Sequence, residues 1–137
     1  MKRRTALFLP SLVAACATPE HLALAEAQVP KFHQQLNEGA LEQIWFQATT
    51  QFQNKYSRES FVALLRSIKS SLGAAQKTKR QGWQALYMEN AVQVNLTQQT
   101  FFERGEAVET IGYRVESGSA FLLVYFVQSP GLKTHDA

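Results

Sequence analysis

The chain has 137 residues, the length of a single domain, and its 45% hydrophobic and 18% charged composition excludes a disordered, collagen-like or disulfide-stapled protein. The formal net charge of +3 arises in the first four residues, because without Lys2, Arg3 and Arg4 the chain has 11 cations and 11 anions. Composition therefore gives no electrostatic indication of nucleic-acid binding.

Residues 1–15 are predicted to be a lipoprotein signal peptide. A positively charged start is followed by a short apolar stretch that is too short to cross a bilayer as a mature helix. The stretch ends in Leu-Val-Ala-Ala at residues 12–15, followed by Cys16, and resembles the lipobox of bacterial lipoproteins. The alternative is an ordinary cleaved signal peptide with an unrelated cysteine.

The lipobox resemblance implies that Cys16 carries the lipid. Several acyl chains on one residue anchor a protein stably to a membrane. Ala17 follows Cys16. An Asp at this position would resemble an inner-membrane retention signal, so we expect the protein to lie on the periplasmic face of the outer membrane. The chain has no second cysteine, so an internal disulfide is excluded and the core must supply the stability.

Three helices are predicted first. Apolar residues recur at helical spacing from residue 22 to residue 36, and Gly39 is expected to end that helix. Pro30 lies inside the pattern, so either the helix kinks there or residues 16–28 form a lipidated tether. A second helix is predicted over 40–52. The third begins after Ser57, a good N-cap, buries Phe61 and ends at Gly73.

Four strands are predicted after Gly73. A first strand is expected over about 75–88, and alternating patterns follow at 92–97 and 111–115. Turns at 103–106 and 116–119 each contain a glycine. Residues 121–127 are all apolar, which indicates either a central strand covered on both faces or an outer face that meets a partner. The single domain is expected to span 29–128, with a flexible tail over 129–137.

Helices followed by an antiparallel meander predict an α+β domain in which the helices pack on a curved four-stranded sheet. The stretches Leu-Asn-Glu-Gly-Ala-Leu at 36–41, Tyr-Ser-Arg-Glu-Ser-Phe at 56–61 and Ala-Val-Glu-Thr at 107–110 resemble those of small uncharacterised bacterial secreted proteins and lipoproteins. Those proteins have the cone-shaped, cystatin-like fold of nuclear transport factor two. The resemblance implies this fold for the chain.

Enzymes of this fold use an Asp or a His inside the cone as a base. Here the one Asp is Asp136, in the predicted tail, and His33 is interpreted as a solvated histidine on the first helix. The sequence shows no metal-binding spacing, nucleophile elbow or phosphate-binding loop, so we predict no metal, no cofactor and no catalytic residue.

Glu109, Tyr113 and Tyr125 are the candidate pocket residues. Glu109 and Tyr113 are four apart on one strand and share a face, and Tyr125 lies on the neighbouring strand. If that face is concave, a carboxyl and two phenols converge in an apolar cavity. The favoured interpretation is different: an outward Glu109 paired with Arg114 or Arg104.

Three functions are consistent with these features. The preferred one is a non-enzymatic lipoprotein anchored through Cys16 that binds another envelope protein or forms a homodimer, since the last strand is apolar throughout. The alternative is a binder of a small apolar ligand through Glu109, Tyr113 and Tyr125. An enzyme that uses Glu109 is the least favoured hypothesis.

Overall fold

The computed structural model describes residues 18–132, in which four helices precede four strands. Their bounds are α1 Pro19–Glu38, α2 Leu41–Phe46, α3 Thr50–Lys55, α4 Arg58–Leu72, β1 Ala75–Tyr87, β2 Val92–Phe102, β3 Gly105–Glu116 and β4 Ser119–Gln128. The strands form an antiparallel sheet in the order β1-β2-β3-β4. The predicted α+β architecture, with helices on one face of a curved antiparallel sheet, is confirmed.

The core lies between the helices and the inner face of β2, β3 and β4. Every second residue of β2 from Val92 to Phe102 is buried, as strand alternation requires when one face is covered. From the helices, Leu36, Leu65 and Ile68 are completely buried against this face. Apolar stripes at helical spacing therefore meet an apolar face at strand spacing.

Helix α1 is continuous from Pro19 to Glu38 and contains Pro30. The side chain of Thr18 caps its first turn, and Gly39 ends it in the left-handed conformation with φ at 81°. Residues 19–28 are thus the start of the first helix rather than a tether. The predicted signal peptide and Cys16 lie outside the described residues.

The predicted second helix over 40–52 is wrong, because two short helices, α2 and α3, occupy this region. Thr49 separates them: its side chain accepts a hydrogen bond from the Phe52 amide at 3.1 Å and starts α3. Its own amide donates to the Leu122 carbonyl at 2.9 Å and ties the break to β4. The break therefore depends on a partner far along the chain.

The predicted boundaries of the third helix, now α4, are confirmed. The Ser60 amide donates to the Ser57 hydroxyl at 3.0 Å, and the Gly73 amide donates to the Lys69 carbonyl at 2.9 Å. Phe61 is buried. The predicted glycine turns also form, since Gly105 and Gly118 have φ of 157° and 78°.

Strand β4 is an edge strand, so its predicted central position is wrong. Its inner face is buried through Tyr125 and Val127, whereas Phe121 and Phe126 are exposed. Because every residue from 121 to 127 is apolar, composition alone does not indicate which face is covered. At the opposite edge of the sheet, Trp83 is 41% exposed on β1.

The domain continues past Gln128. Leu132 is buried, and the Ser129 hydroxyl donates to the Glu106 carbonyl at 2.6 Å. The prediction of a flexible tail from residue 129 is thus wrong for residues 129–132, and the rest of that tail lies outside the described residues. Within residues 18–132, no helix combines the length and the apolar character needed to cross a membrane.

The cap and the core residue of α4 give a graded stability prediction. Ser57→Ala removes the cap acceptor and is expected to lower the free energy of unfolding by about 1 kcal/mol. Phe61→Ala leaves a cavity in the core and is expected to cost about 3–5 kcal/mol. Urea denaturation measures both values, with Ser70→Ala, at an exposed serine of the same helix, as the control. Equal, negligible effects contradict this account of α4.

Candidate functional site

A buried carboxylate, Glu109, occupies the inner face of β3 and accepts four side-chain hydrogen bonds. Its Oε1 lies 2.8 Å from His33 Nε2, 2.6 Å from the Thr100 hydroxyl and 3.2 Å from the Gln98 amide nitrogen. Its Oε2 accepts from the Tyr125 hydroxyl. The donors come from α1, β2 and β4. We call these five residues the Glu109 network.

Strand register places Glu109 among these donors. Glu109 is paired with Gln98 on β2 and with Val127 on β4, and its side chain points the same way as buried Ile111. An outward Glu109 is therefore wrong. The two arginines proposed to pair with it bind elsewhere. Arg104 donates to the carbonyls of Lys69 and Ser70, and Arg114 pairs with Glu116.

His33 is buried, so its interpretation as a solvated helix histidine is also wrong. It is 8% exposed, and its ring makes edge contacts with Phe32 and Phe102 at centroid distances of 5.6 and 6.4 Å. One sequence signal was available. His33 lies four residues after Val29 and three before Leu36, at the spacing that puts all three on the buried face of α1.

The Glu109 network favours an ionised carboxylate. Burial alone raises the pKa of Glu109, but the hydrogen bond and electrostatic attraction of His33, with hydrogen bonds from Thr100 and Tyr125, outweigh it. The pKa of Glu109 therefore lies below its usual value. Because an ionised carboxylate can only accept, His33 must present a protonated Nε2 to it.

Both tyrosines remain neutral. Burial raises the pKa of Tyr125, and the charge of Glu109 and the hydrogen bond to it raise that pKa further. Burial and the charge of Glu109 also raise the pKa of Tyr113. Tyr113 nevertheless stands outside the network, because its buried hydroxyl has no hydrogen-bond partner among the described residues.

The structure thus joins two of the three candidate pocket residues, Glu109 and Tyr125, and places the third, Tyr113, on the same buried face. Sequence reasoning missed the other three members of the network. These are His33, Gln98 and Thr100. Gln98 and Thr100 lie in phase with Val94 and Leu96, so the alternation of β2 alone was enough to place them inside the domain.

The Glu109 carboxylate already accepts four hydrogen bonds and lines no open pocket. Glu109 is completely buried, and the groove of about 450 Å³ that reaches His33, between α1 and β1, is lined by neither Glu109 nor Tyr125. Within the described part of the chain, no three His, Cys, Asp or Glu residues come together as a metal site. The arrangement is suited to holding α1 on the sheet.

Loss of the Glu109 charge is expected to destabilise the domain. In Glu109→Gln, an amide NH₂ group replaces one carboxylate oxygen and faces groups that are themselves donors. We expect this change to lower the free energy of unfolding by about 3 kcal/mol at neutral pH. Glu89→Gln, at an exposed acid in the β1–β2 loop, is the control. Urea denaturation of both variants measures the effect, and equal stabilities contradict it.

The same substitution predicts a pH dependence. The folded state lowers the pKa of Glu109 below the usual 4.5, so the stability it contributes is present above pH 4.5 and is lost as the pH falls through the folded pKa. The stability difference between wild type and Glu109→Gln should therefore stay constant well above pH 4.5 and shrink as the pH falls below 4.5 towards the folded pKa. A difference that stays constant as the pH falls below 4.5 contradicts an ionised Glu109.

Comparisons with known proteins add no relative to this description. No protein-family model matches the sequence, and no curated protein matches it.

Proposed function

We propose that the protein is a lipid-anchored periplasmic protein of the outer membrane that acts by contact, without catalysis, and forms a homodimer through the outer face of its sheet. The observation that carries the proposal is the exposure of large aromatic side chains on β4. Phe121 is 45% exposed and Phe126 is 55% exposed. Clustered apolar side chains on a surface favour association with another protein.

Phe126 has an apolar neighbour on the same face, whereas Phe121 is paired with Arg114 on β3. Phe126 is paired with Thr110 on β3, and Val108, two residues before Thr110, is 37% exposed on that face. Side chains at such diagonal positions are within reach of an aromatic ring. We call Val108, Phe121, Val124 and Phe126 the outer apolar face.

A second copy of the chain is the occupant that the charges favour. In a two-fold interface, each residue lies near the same residue, or a neighbour of it, in the second copy. A charged side chain on the interface would therefore face an equal charge and be repelled. Strand β4 has no charged residue, whereas β1 at the other edge carries exposed Lys77, Lys79 and Arg80. Self-association is therefore favoured at the β4 side of the sheet and disfavoured at the β1 side.

The face of β4, and not its backbone edge, is the proposed contact. The Thr49 amide already bonds the Leu122 carbonyl, which occupies the edge of β4 near its start. A strand that paired along this edge would have to displace that bond. Packing of two outer apolar faces leaves it intact.

A non-enzymatic role is supported by the Glu109 network. Among the described residues, Glu109 is the one buried acid. Its carboxylate oxygens accept hydrogen bonds from His33, Thr100, Gln98 and Tyr125. A substrate must displace these donors to reach it, which leaves buried polar groups unpaired. We therefore assign the network to stability and the outer apolar face to function.

The dimer is tested by a charge on the outer apolar face. Phe126→Asp is expected to convert the dimer to a monomer in sedimentation-velocity experiments, because two buried aspartates would repel each other across the interface. Phe46→Asp is the matched control, since Phe46 on α2 is 58% exposed but lies away from the sheet face. A monomeric wild type, or a dimer that persists in Phe126→Asp, overturns the proposal.

The anchor is tested separately. We expect mass spectrometry of the membrane-extracted protein to show an acylated N-terminal Cys16, and Cys16→Ser to release the protein from the membrane fraction. A membrane-free mature protein with an unmodified Cys16 contradicts the anchor but leaves the dimer test untouched.

A further inference from the structure

Strand β1, at one edge of the sheet, presents a positively charged surface. Lys77, Lys79 and Arg80 are exposed, and the strand contains no acidic residue. Arg80 pairs with Glu26 on α1, whereas neither lysine forms an ion pair with any described residue. The first half of this edge therefore attracts a negatively charged partner.

The second half of β1 exposes large apolar side chains along the same edge. Trp83, Leu86 and Tyr87 are 41%, 47% and 59% exposed. Cations on an edge strand prevent it from pairing with other strands, whereas exposed apolar side chains beside them favour association. Protection of the edge therefore explains the lysines but not their apolar neighbours.

Side chains from both faces of the sheet border this edge. Lys79 is paired with Gln99, on the outer face of β2, and Trp83 is paired with the buried Leu96, on its inner face. A flat surface that approaches in the plane of the sheet meets both sets of side chains. An anionic membrane is such a surface, because lysines are attracted to its phosphates and Trp and Tyr concentrate at the level of its headgroups.

The proposed lipid anchor would hold this edge near a membrane. Two peptide units join Cys16 to Thr18, and they span at most about 7 Å. The first turns of α1 and the β3–β4 turn line one groove, so the start of α1 lies beside that turn. Val115, just before the turn, and Tyr87 both pair with Val92, so two strand spacings, or about 10 Å, separate them. The anchored end of the domain is therefore also the end at which β1 finishes.

We propose that β1 lies edge-on against an anionic phospholipid surface, with Lys77 and Lys79 at the lipid phosphates and Trp83 and Tyr87 among the headgroups. This inference rests on the proposed anchor, and it adds an orientation of the domain on the membrane. The contact is separate from the proposed dimer, because β1 and β4 are opposite edges of the sheet. The two contacts therefore do not compete for one surface.

Fluorescence of Trp83 tests the contact in the acylated protein, extracted from membranes and incorporated into lipid vesicles. Anionic vesicles contain equal parts of phosphatidylethanolamine and phosphatidylglycerol, and zwitterionic vesicles contain phosphatidylcholine. Both include a small share of lipid brominated on its acyl chains, which quenches a nearby indole. The chain has a second tryptophan, Trp45, so the difference between the parent chain and Trp83→Phe isolates the Trp83 emission. We expect this emission to be blue-shifted and quenched in anionic vesicles only.

Charge reversal tests whether the lysines cause the contact. Lys77→Glu with Lys79→Glu is expected to lower the population of the membrane-bound orientation by at least about 25-fold, because each lysine near an anionic surface contributes about a factor of five. Salt at about 1 M, where the Debye length is about 3 Å, should likewise remove the quenching of Trp83. Lys31→Glu with Arg66→Glu, at exposed positions on α1 and α4, makes the same change in net charge and should leave the quenching intact.

Flotation of the vesicles separates this inference from the proposed anchor. Protein that floats with both kinds of vesicle is anchored, and protein that floats with neither overturns both proposals. Protein that floats only with anionic vesicles contradicts the anchor and supports the β1 contact. Trp83 that stays unquenched in floating anionic vesicles, or quenching that Lys77→Glu with Lys79→Glu leaves unchanged, overturns the β1 contact alone.

Discussion

A single buried carboxylate organises this domain. Glu109 is completely buried on β3, where an ion without partners is prohibitively costly. Its donors come from α1, β2 and β4, so the cost is offset only when the helix and all three strands are in their native positions. Alternative packings of α1 leave the carboxylate, or His33, unsatisfied. The Glu109 network thus favours one arrangement of the helix on the sheet over other arrangements of equal apolar burial.

The position of the network divides the molecule into three parts with different roles. Inside the domain, Glu109 has enough donors and offers nothing to a ligand. On the helix side, the hydroxyl of Tyr113 is buried and has no hydrogen-bond partner among the described residues. On the opposite side, Phe121 and Phe126 lie on a strand without charge. Glu109 and Tyr125 therefore stabilise the fold, and the proposed dimer contact lies on the outer face of the sheet.

Local signals predicted the elements that local contacts form. The Ser57 cap, the end of α4 at Gly73 and the glycine turns were all visible in the sequence, because each depends on residues within a few positions. The break at Thr49 was missed because Leu122 completes it. The burial of His33 is not predictable from local sequence for a related reason. A histidine on an apolar stripe is buried only when an acceptor lies beside it, and that acceptor, Glu109, is 76 positions away in the chain. The edge position of β4 depends on the order of the strands in the sheet, and this order cannot be predicted from a segment that is apolar throughout.

The bond from Thr49 to Leu122 has a consequence for how the chain is made. Strand β4 contains eight consecutive apolar residues and no charge, the composition of a segment that adds readily to other strands and aggregates. In chain order Thr49 precedes it, so the group that occupies its edge is already present whenever β4 emerges from the ribosome or from a membrane channel. Among residues 18–132, the strand with the strongest tendency to aggregate is also the last in chain order, so it can pack on its own domain soon after it is made.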